Sequence, residues 1–409
     1  MPLVHRVARN FSFLLFGQVA SQAFVFFALI YLTRVLQPTA FGKLGFAQSV
    51  LAYFLLASDM GIALLGAREI AAGKYQASYL GNLISLRACL GVLSFVVLCL
   101  AALSLASLRE TGLLVILFGL TIIPYSLTLD WVFLGLEIMN GVGVVNVTRG
   151  LVYFMLLLLF VRNPNSLLLV PLFFLGAHAT SAYLSWSLAK RWTTEQALAF
   201  TLPSREWGSV LSCSAPLFLY AVLASSQLNL AAVLLGWLRS PSDVGIYVAA
   251  YKLVYIFIYL AYLYSFSILP ILSSSREGSQ LTLASAKGGA VCGLLLAVVM
   301  TLCAAPLVTL LYGVAYRPAV DIVRLLVWSL PVMACVAVLS MDLVARGRAR
   351  PLLVALGMGL VAEFGLDLLL IPRYGPRGAA LAYMANTIVT LGYLGMDVAR
   401  AQRVGRDLI

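Results

Sequence analysis

Charged side chains make up only 10% of this 409-residue sequence, against about 25% in a soluble domain. A water-soluble chain of this size needs far more of them to cover its surface, so a cytosolic enzyme is excluded. Histidine is limited to His5 and His178, which leaves no means of building a histidine-rich metal site. The six cysteines, Cys89, Cys99, Cys213, Cys292, Cys303 and Cys335, all fall in apolar runs without paired ligand spacing. They read as small buried hydrophobes, not as disulfides or zinc ligands. A Gly-x4-Gly-Lys-Ser/Thr loop is missing, so nothing in the sequence points to ATP hydrolysis. HExxH and GxSxG are missing too, and there is no long polar segment to serve as an extracytoplasmic catalytic domain. Lipid-sugar glycosyltransferases and polysaccharide polymerases are disfavoured on that ground. Neither an enzyme activity nor a cofactor is implied.

Apolar residues are abundant, at 62% of the chain with a mean hydropathy of +1.01. Such a chain is not disordered. Its apolar stretches are continuous over about twenty residues, where a β-barrel strand alternates over about ten. The spans are therefore helices, and the fold class is all-α integral membrane. The first stretch, Phe11–Thr33, follows His5, Arg6 and Arg9 but is longer than the roughly 7–15-residue core of a signal peptide. It reads as the first span. Twelve transmembrane helices are expected, over residues 11–35, 42–65, 80–106, 113–135, 141–161, 167–189, 210–236, 244–271, 285–311, 320–345, 351–371 and 378–399.

The net charge of +12 would suggest nucleic acid as the partner of a soluble protein. In a membrane protein it reads as basic cytoplasmic loops, with no nucleic-acid partner. Of the 27 Lys and Arg residues, fifteen fall on the side of the two termini and eight on the other. Lys74, Lys190, Arg191, Arg205 and Arg276 belong to the larger set, and four (Arg87, Arg149, Lys252, Arg324) lie within spans. This asymmetry puts both termini in the cytoplasm. The longest loop, 190–209, divides the chain into two six-helix bundles, residues 1–195 and 196–409. Pro38-Thr-Ala-Phe-Gly42 opens the second span, and Pro241-Ser-Asp-Val-Gly245 opens the eighth. The repeated turn predicts a parallel internal duplication, with two bundles flanking a central cavity.

Ionisable groups at membrane depth are costly and tend to line a cavity or an ion path. Arg149 and Arg87 lie about 12 and 10 Å inside the inner face, and Lys252 about 12 Å inside the outer one. Three cations from different helices suit an anionic head group such as a pyrophosphate, so all three are candidate substrate-binding residues. The plainer reading pairs Arg149 with Glu137 or Asp130, or lets Arg87 and Arg149 snorkel to the surface. His178 reads as a packing residue sooner than a proton carrier. Trp131, Trp186 and Trp237, near span ends, read as interface anchors. Glu363 and Asp367 lie one turn apart near the middle of the eleventh span. Two such carboxylates do not both ionise cheaply, so one is expected to hold a proton near neutral pH. The alternative is that one of them pairs with an arginine. With Asp59, at the end of the second span, they are the candidate ion-coupling residues.

Five segments in order resemble the polysaccharide and O-antigen flippases, the Wzx-type branch of the multidrug/oligosaccharidyl-lipid/polysaccharide exporter superfamily. They are Asn10-Phe11 with Gly17-Gln18 and Arg34-Val-Leu-Gln-Pro38-Thr-Ala-Phe-Gly42; Asp59-Met-Gly61 with Gly66-Ala-Arg68-Glu69-Ile-Ala71; Asp130-Trp131-Val-Phe133-Leu-Gly135-Leu-Glu137; Gly245-Ile-Tyr247-Val-Ala249-Ala250-Tyr251-Lys252; and Pro372-Arg-Tyr374-Gly375-Pro-Arg377-Gly378-Ala379-Ala380. The resemblance implies a V of two bundles whose cationic cavity moves undecaprenyl-pyrophosphate-linked oligosaccharide from the inner to the outer leaflet. It also implies a bacterial cytoplasmic (inner) membrane and, as partners, membrane lipid, a polysaccharide polymerase and chain-length proteins. Glu363 and Asp367 match no motif of that family. Two rivals remain: a multidrug/cation antiporter of the same superfamily, and a non-transporting membrane partner of a polysaccharide synthesis complex.

Overall fold

The structure is a computed structural model that describes residues 3–73, 77–104, 109–193, 198–201, 206–274 and 278–406. Of the Lys and Arg residues counted above, Lys74, Arg205 and Arg276 lie outside the described residues, as do the side chains of Arg6, Arg9, Arg109, Arg403 and Arg406. Among the described residues there are helices and turns and no strand. In chain order the helices are α1 (Leu3–Asp59), α2 (Ile62–Ala71), α3 (Ala77–Ser104), α4 (Arg109–Gly119), α5 (Ile122–Ser126), α6 (Asp130–Gly135), α7 (Met139–Phe160) and α8 (Leu169–Ala189). They continue as α9 (Glu206–Leu238), α10 (Pro241–Ser274), α11 (Gly278–Tyr312), α12 (Ala319–Leu326), α13 (Leu330–Ala345), α14 (Ala349–Tyr374) and α15 (Pro376–Arg406).

Among the described residues, eleven apolar segments are long enough to cross a membrane. The first, Gly17–Asp59, has 43 residues, about twice what one crossing needs. Its helix is interrupted at Gln37 (φ 61°, ψ 167°), because Pro38 disfavours helical geometry in the residue before it. It therefore supplies two crossings, and the expected twelve are recovered. Other spans are less regular than their hydropathy suggests. The second breaks at Met60 and Gly61, both at positive φ, before α2. The fourth consists of α4, α5 and α6 in succession, and the tenth joins α12 to α13 through a single 3-10 turn, Val327–Ser329.

The chain forms two compact units. The first contains residues 1–37 and 47–222, and the second residues 38–46 and 223–409. In the first unit α7 packs along α8, α3 along α4 and α5, and α2 along α6. Its core is built from Ile62, Leu83, Val132, Phe133 and Val145. In the second unit α14 packs along α15, while α13 contacts both α10 and α11. Val336, Leu343, Leu352, Ala355 and Leu394 form an apolar cluster there.

The outer surfaces are apolar too, with Leu103, Leu302 and Val361 more than two-thirds exposed, as expected where lipid replaces water. That explains the cysteines. All six are free, but Cys89, Cys213, Cys292 and Cys303 are exposed, not buried as their apolar surroundings suggested. In a soluble protein an apolar run points inward, whereas on a spanning helix it points as readily to lipid.

Candidate substrate and ion site

In the first unit, the break between α1 and α2 brings Asp59 to Arg87 on α3. Arg87 is buried, and its Nε lies 2.9 Å from Asp59 Oδ1. The guanidinium also donates to the Thr128 carbonyl at 2.8 Å and sits over the Trp131 ring, 5.8 Å from its centroid. Trp131 Nε1 donates to the same carbonyl, and Trp186 Nε1 donates to the neighbouring Leu127 carbonyl. Ser185 Oγ accepts from the Leu129 amide. These bonds satisfy the backbone groups freed where α5 gives way to α6. Trp131 is therefore buried rather than an interface anchor, and Trp186 is half-buried. Of the three tryptophans, Trp237 alone is more than half exposed.

Arg149, on α7, is half-buried and donates to Asn146 Oδ1 at 2.8 Å, one turn back on its own helix. It makes no ion pair with Glu137 or Asp130 among the described residues. The Nδ1 of His178 lies 3.0 Å from the Phe174 carbonyl, and its ring is 4.4 Å from that of Phe174. This is the geometry of a packing residue.

In the second unit, Lys252 is half-buried on α10. Sequence reasoning overlooked the tyrosines on the same helix. Tyr247, Tyr251, Tyr255 and Tyr259 recur every four residues, with successive ring centroids 6.0, 6.1 and 6.3 Å apart. Tyr383 of α15 meets Tyr251 edge-on at 5.3 Å. The i, i+4 spacing is visible in the sequence. Lys252 shares the face of Tyr255 and Tyr259, three and seven residues on.

Glu363 and Asp367 are both fully buried on α14. Glu363 Oε2 accepts from the Asn386 amide of α15, and Asn386 Oδ1 accepts from the Thr390 hydroxyl at 3.1 Å. Gly359 makes room for this cluster, since a Cβ there would fall 2.2 Å from Asn386 Oδ1. Among the described residues, Glu363 Oε1 and both Asp367 oxygens have no hydrogen-bond partner and neither carboxylate has an ion pair. Among the described residues no arginine pairs with either acid. Two buried carboxylates with three unsatisfied oxygens require a proton or a cation to be tolerable.

Twelve apolar crossings that bury a few ionisable side chains define a multi-pass membrane protein. The chain belongs to the polysaccharide biosynthesis protein family, which it matches over residues 7–276. Among solved structures it is similar to the lipid II flippase MurJ in an inward closed conformation. The TM-score is 0.75 at 16% identity, covering 94% of this chain and 87% of that one. An inward-facing multidrug resistance MATE family transporter of the MOP superfamily matches with a TM-score of 0.70 at 15% identity, covering 94% and 96%. The MATE transporter VcmN of Vibrio cholerae, in its bent form, matches at 0.60 and 18%, covering 98% and 97%. These likenesses establish a shared fold. No curated protein matches by sequence.

Proposed function

We propose that this protein carries undecaprenyl-pyrophosphate-linked oligosaccharide repeat units from the inner to the outer leaflet of a bacterial cytoplasmic membrane by alternating access. The observation that carries this reading is the joining of a polysaccharide biosynthesis family with a fold that also serves a lipid flippase. Lys252 and Arg149 are the cations assigned to the pyrophosphate, one half-buried on α10 and the other half-buried on α7. Arg87 joins them only when its pair with Asp59 opens. Glu363 and Asp367 couple the movement to an ion gradient, and Asp59 contributes through Arg87. Both termini face the cytoplasm, and O-antigen or a related lipopolysaccharide glycan is the end product, with a polymerase and chain-length proteins acting after export.

A second reading is favoured by one observation. Buried acids without cationic partners, in a fold shared with MATE transporters, also suit a multidrug/cation antiporter. Deletion followed by complementation separates the readings. A flippase deletion removes surface polysaccharide and traps lipid-linked repeat units on the cytoplasmic side. An antiporter deletion leaves polysaccharide intact and sensitises cells to cationic drugs. A non-transporting partner would be dispensable for translocation in proteoliposomes.

A further inference from the structure

The second unit has an arginine that the transport reading does not use. Arg324 lies in the tenth crossing yet is exposed, five residues past the start of α12, about 7 Å below the helix end. An exposed cation at that depth sits where head groups meet hydrocarbon. Its Nε donates to the Thr301 carbonyl of α11 at 3.4 Å, and it has no carboxylate partner among the described residues. Beside it Arg377, from the first turn of α15, pairs with Asp321 of α12. These residues, with Leu325 and Trp328, line a cavity of about 440 Å³. Trp328 is 41% exposed.

The charge here is uneven. Two guanidiniums face one carboxylate, so the pocket has a net charge of +1. A guanidinium with free donors takes a phosphate through two parallel hydrogen bonds. The half-buried Leu325 and the indole of Trp328 supply an apolar flank of the kind that meets lipid at the interface. An excess of one positive charge matches a phosphodiester with one negative charge better than a pyrophosphate with more.

We infer that the Thr301–Arg324–Trp328–Arg377 pocket binds the head group of an anionic phospholipid from the surrounding leaflet. Arg324 grips the phosphate, Arg377 shares itself between Asp321 and the lipid, and Trp328 lies against the acyl chains. This site stands apart from the transport residues and holds whether or not the transport reading does.

The test uses the full chain, purified and titrated with phosphatidylglycerol or phosphatidylcholine, with bound lipid counted by native mass spectrometry. Phosphatidylglycerol should bind preferentially, Arg324→Gln should weaken it about fivefold, and Arg324→Lys, which keeps the charge but loses the bidentate fork, should keep only part of it. Brominated phosphatidylglycerol should quench a tryptophan signal that Trp328→Phe removes, a readout that needs no Arg324 variant to fold. Equal binding of the two lipids, or an Arg324→Gln protein that binds like the parent, overturns the inference. So does displacement by millimolar inorganic phosphate, which would mark a free-anion site. Stronger binding of undecaprenyl phosphate than of phosphatidylglycerol overturns it as well and reassigns the pocket to the carrier lipid.

Discussion

Gly42 and Gly245 face each other backbone to backbone within the second unit. A Cβ on Gly42 would fall 1.7 Å from the Pro241 carbonyl oxygen, and one on Gly245 would fall 2.1 Å from that of Pro38. Each glycine thus seats against the proline of the other Pro-x3-Gly turn. The contact is reciprocal.

Backbone cannot give way as a flexible side chain does, so alanine at either position must push two helices apart. Gly42→Ala and Gly245→Ala should each cost about 2 kcal/mol or more. Thermal unfolding in detergent checks this, with Gly208→Ala as the control, because nothing lies within 4 Å of a Cβ there. Equal midpoints for all three variants would mean that the close approach is not maintained.

The Asp59–Arg87 pair should behave as a buried one. Arg87→Met leaves Asp59 without its countercharge and the Thr128 carbonyl with only the Trp131 indole as donor, a loss of about 3–5 kcal/mol. The double variant Asp59→Leu/Arg87→Met should recover part of that stability. A double variant no more stable than Arg87→Met would show that the two side chains are not coupled.

The buried acids predict a dependence on the pH gradient. Glu363→Gln and Asp367→Asn, made singly, should each flatten the response of transport to an imposed gradient in proteoliposomes. Asn386→Leu, which removes the donor to Glu363, should shift that response without abolishing transport. An unaltered gradient dependence in both acid variants would leave them a structural role only.

Orientation is checked with cysteines placed in a background free of the native six. A cysteine in the 192–206 loop should resist a membrane-impermeant thiol reagent in intact cells, and one at 238–242 should react. The reverse pattern would put the basic loops outside, against the charge asymmetry.

Hydropathy found the twelve crossings because each needs about twenty apolar residues, which a sliding window detects well. The same averaging hides local breaks. The interruption at Met60-Gly61 and the division of 113–135 into three helices depend on single backbone dihedrals and on buried side-chain bonds from Arg87, Ser185 and Trp186. The Glu363–Asp367 pairing was legible because one helical turn fixes it. Its partner Asn386, on a different helix, carried no signal at all, and neither did the Asp59–Arg87 contact.

The central claim is tested most directly by translocation in proteoliposomes containing only the purified protein and a fluorescent undecaprenyl-pyrophosphate-linked oligosaccharide. The account predicts that the parent protein moves the lipid to the opposite leaflet, that Lys252→Ala abolishes the movement without loss of folded protein, and that Lys252→Arg keeps part of it. Translocation by Lys252→Ala at the parent rate would remove Lys252 from the site, and no translocation by the parent under an imposed ion gradient would contradict the function proposed for this chain.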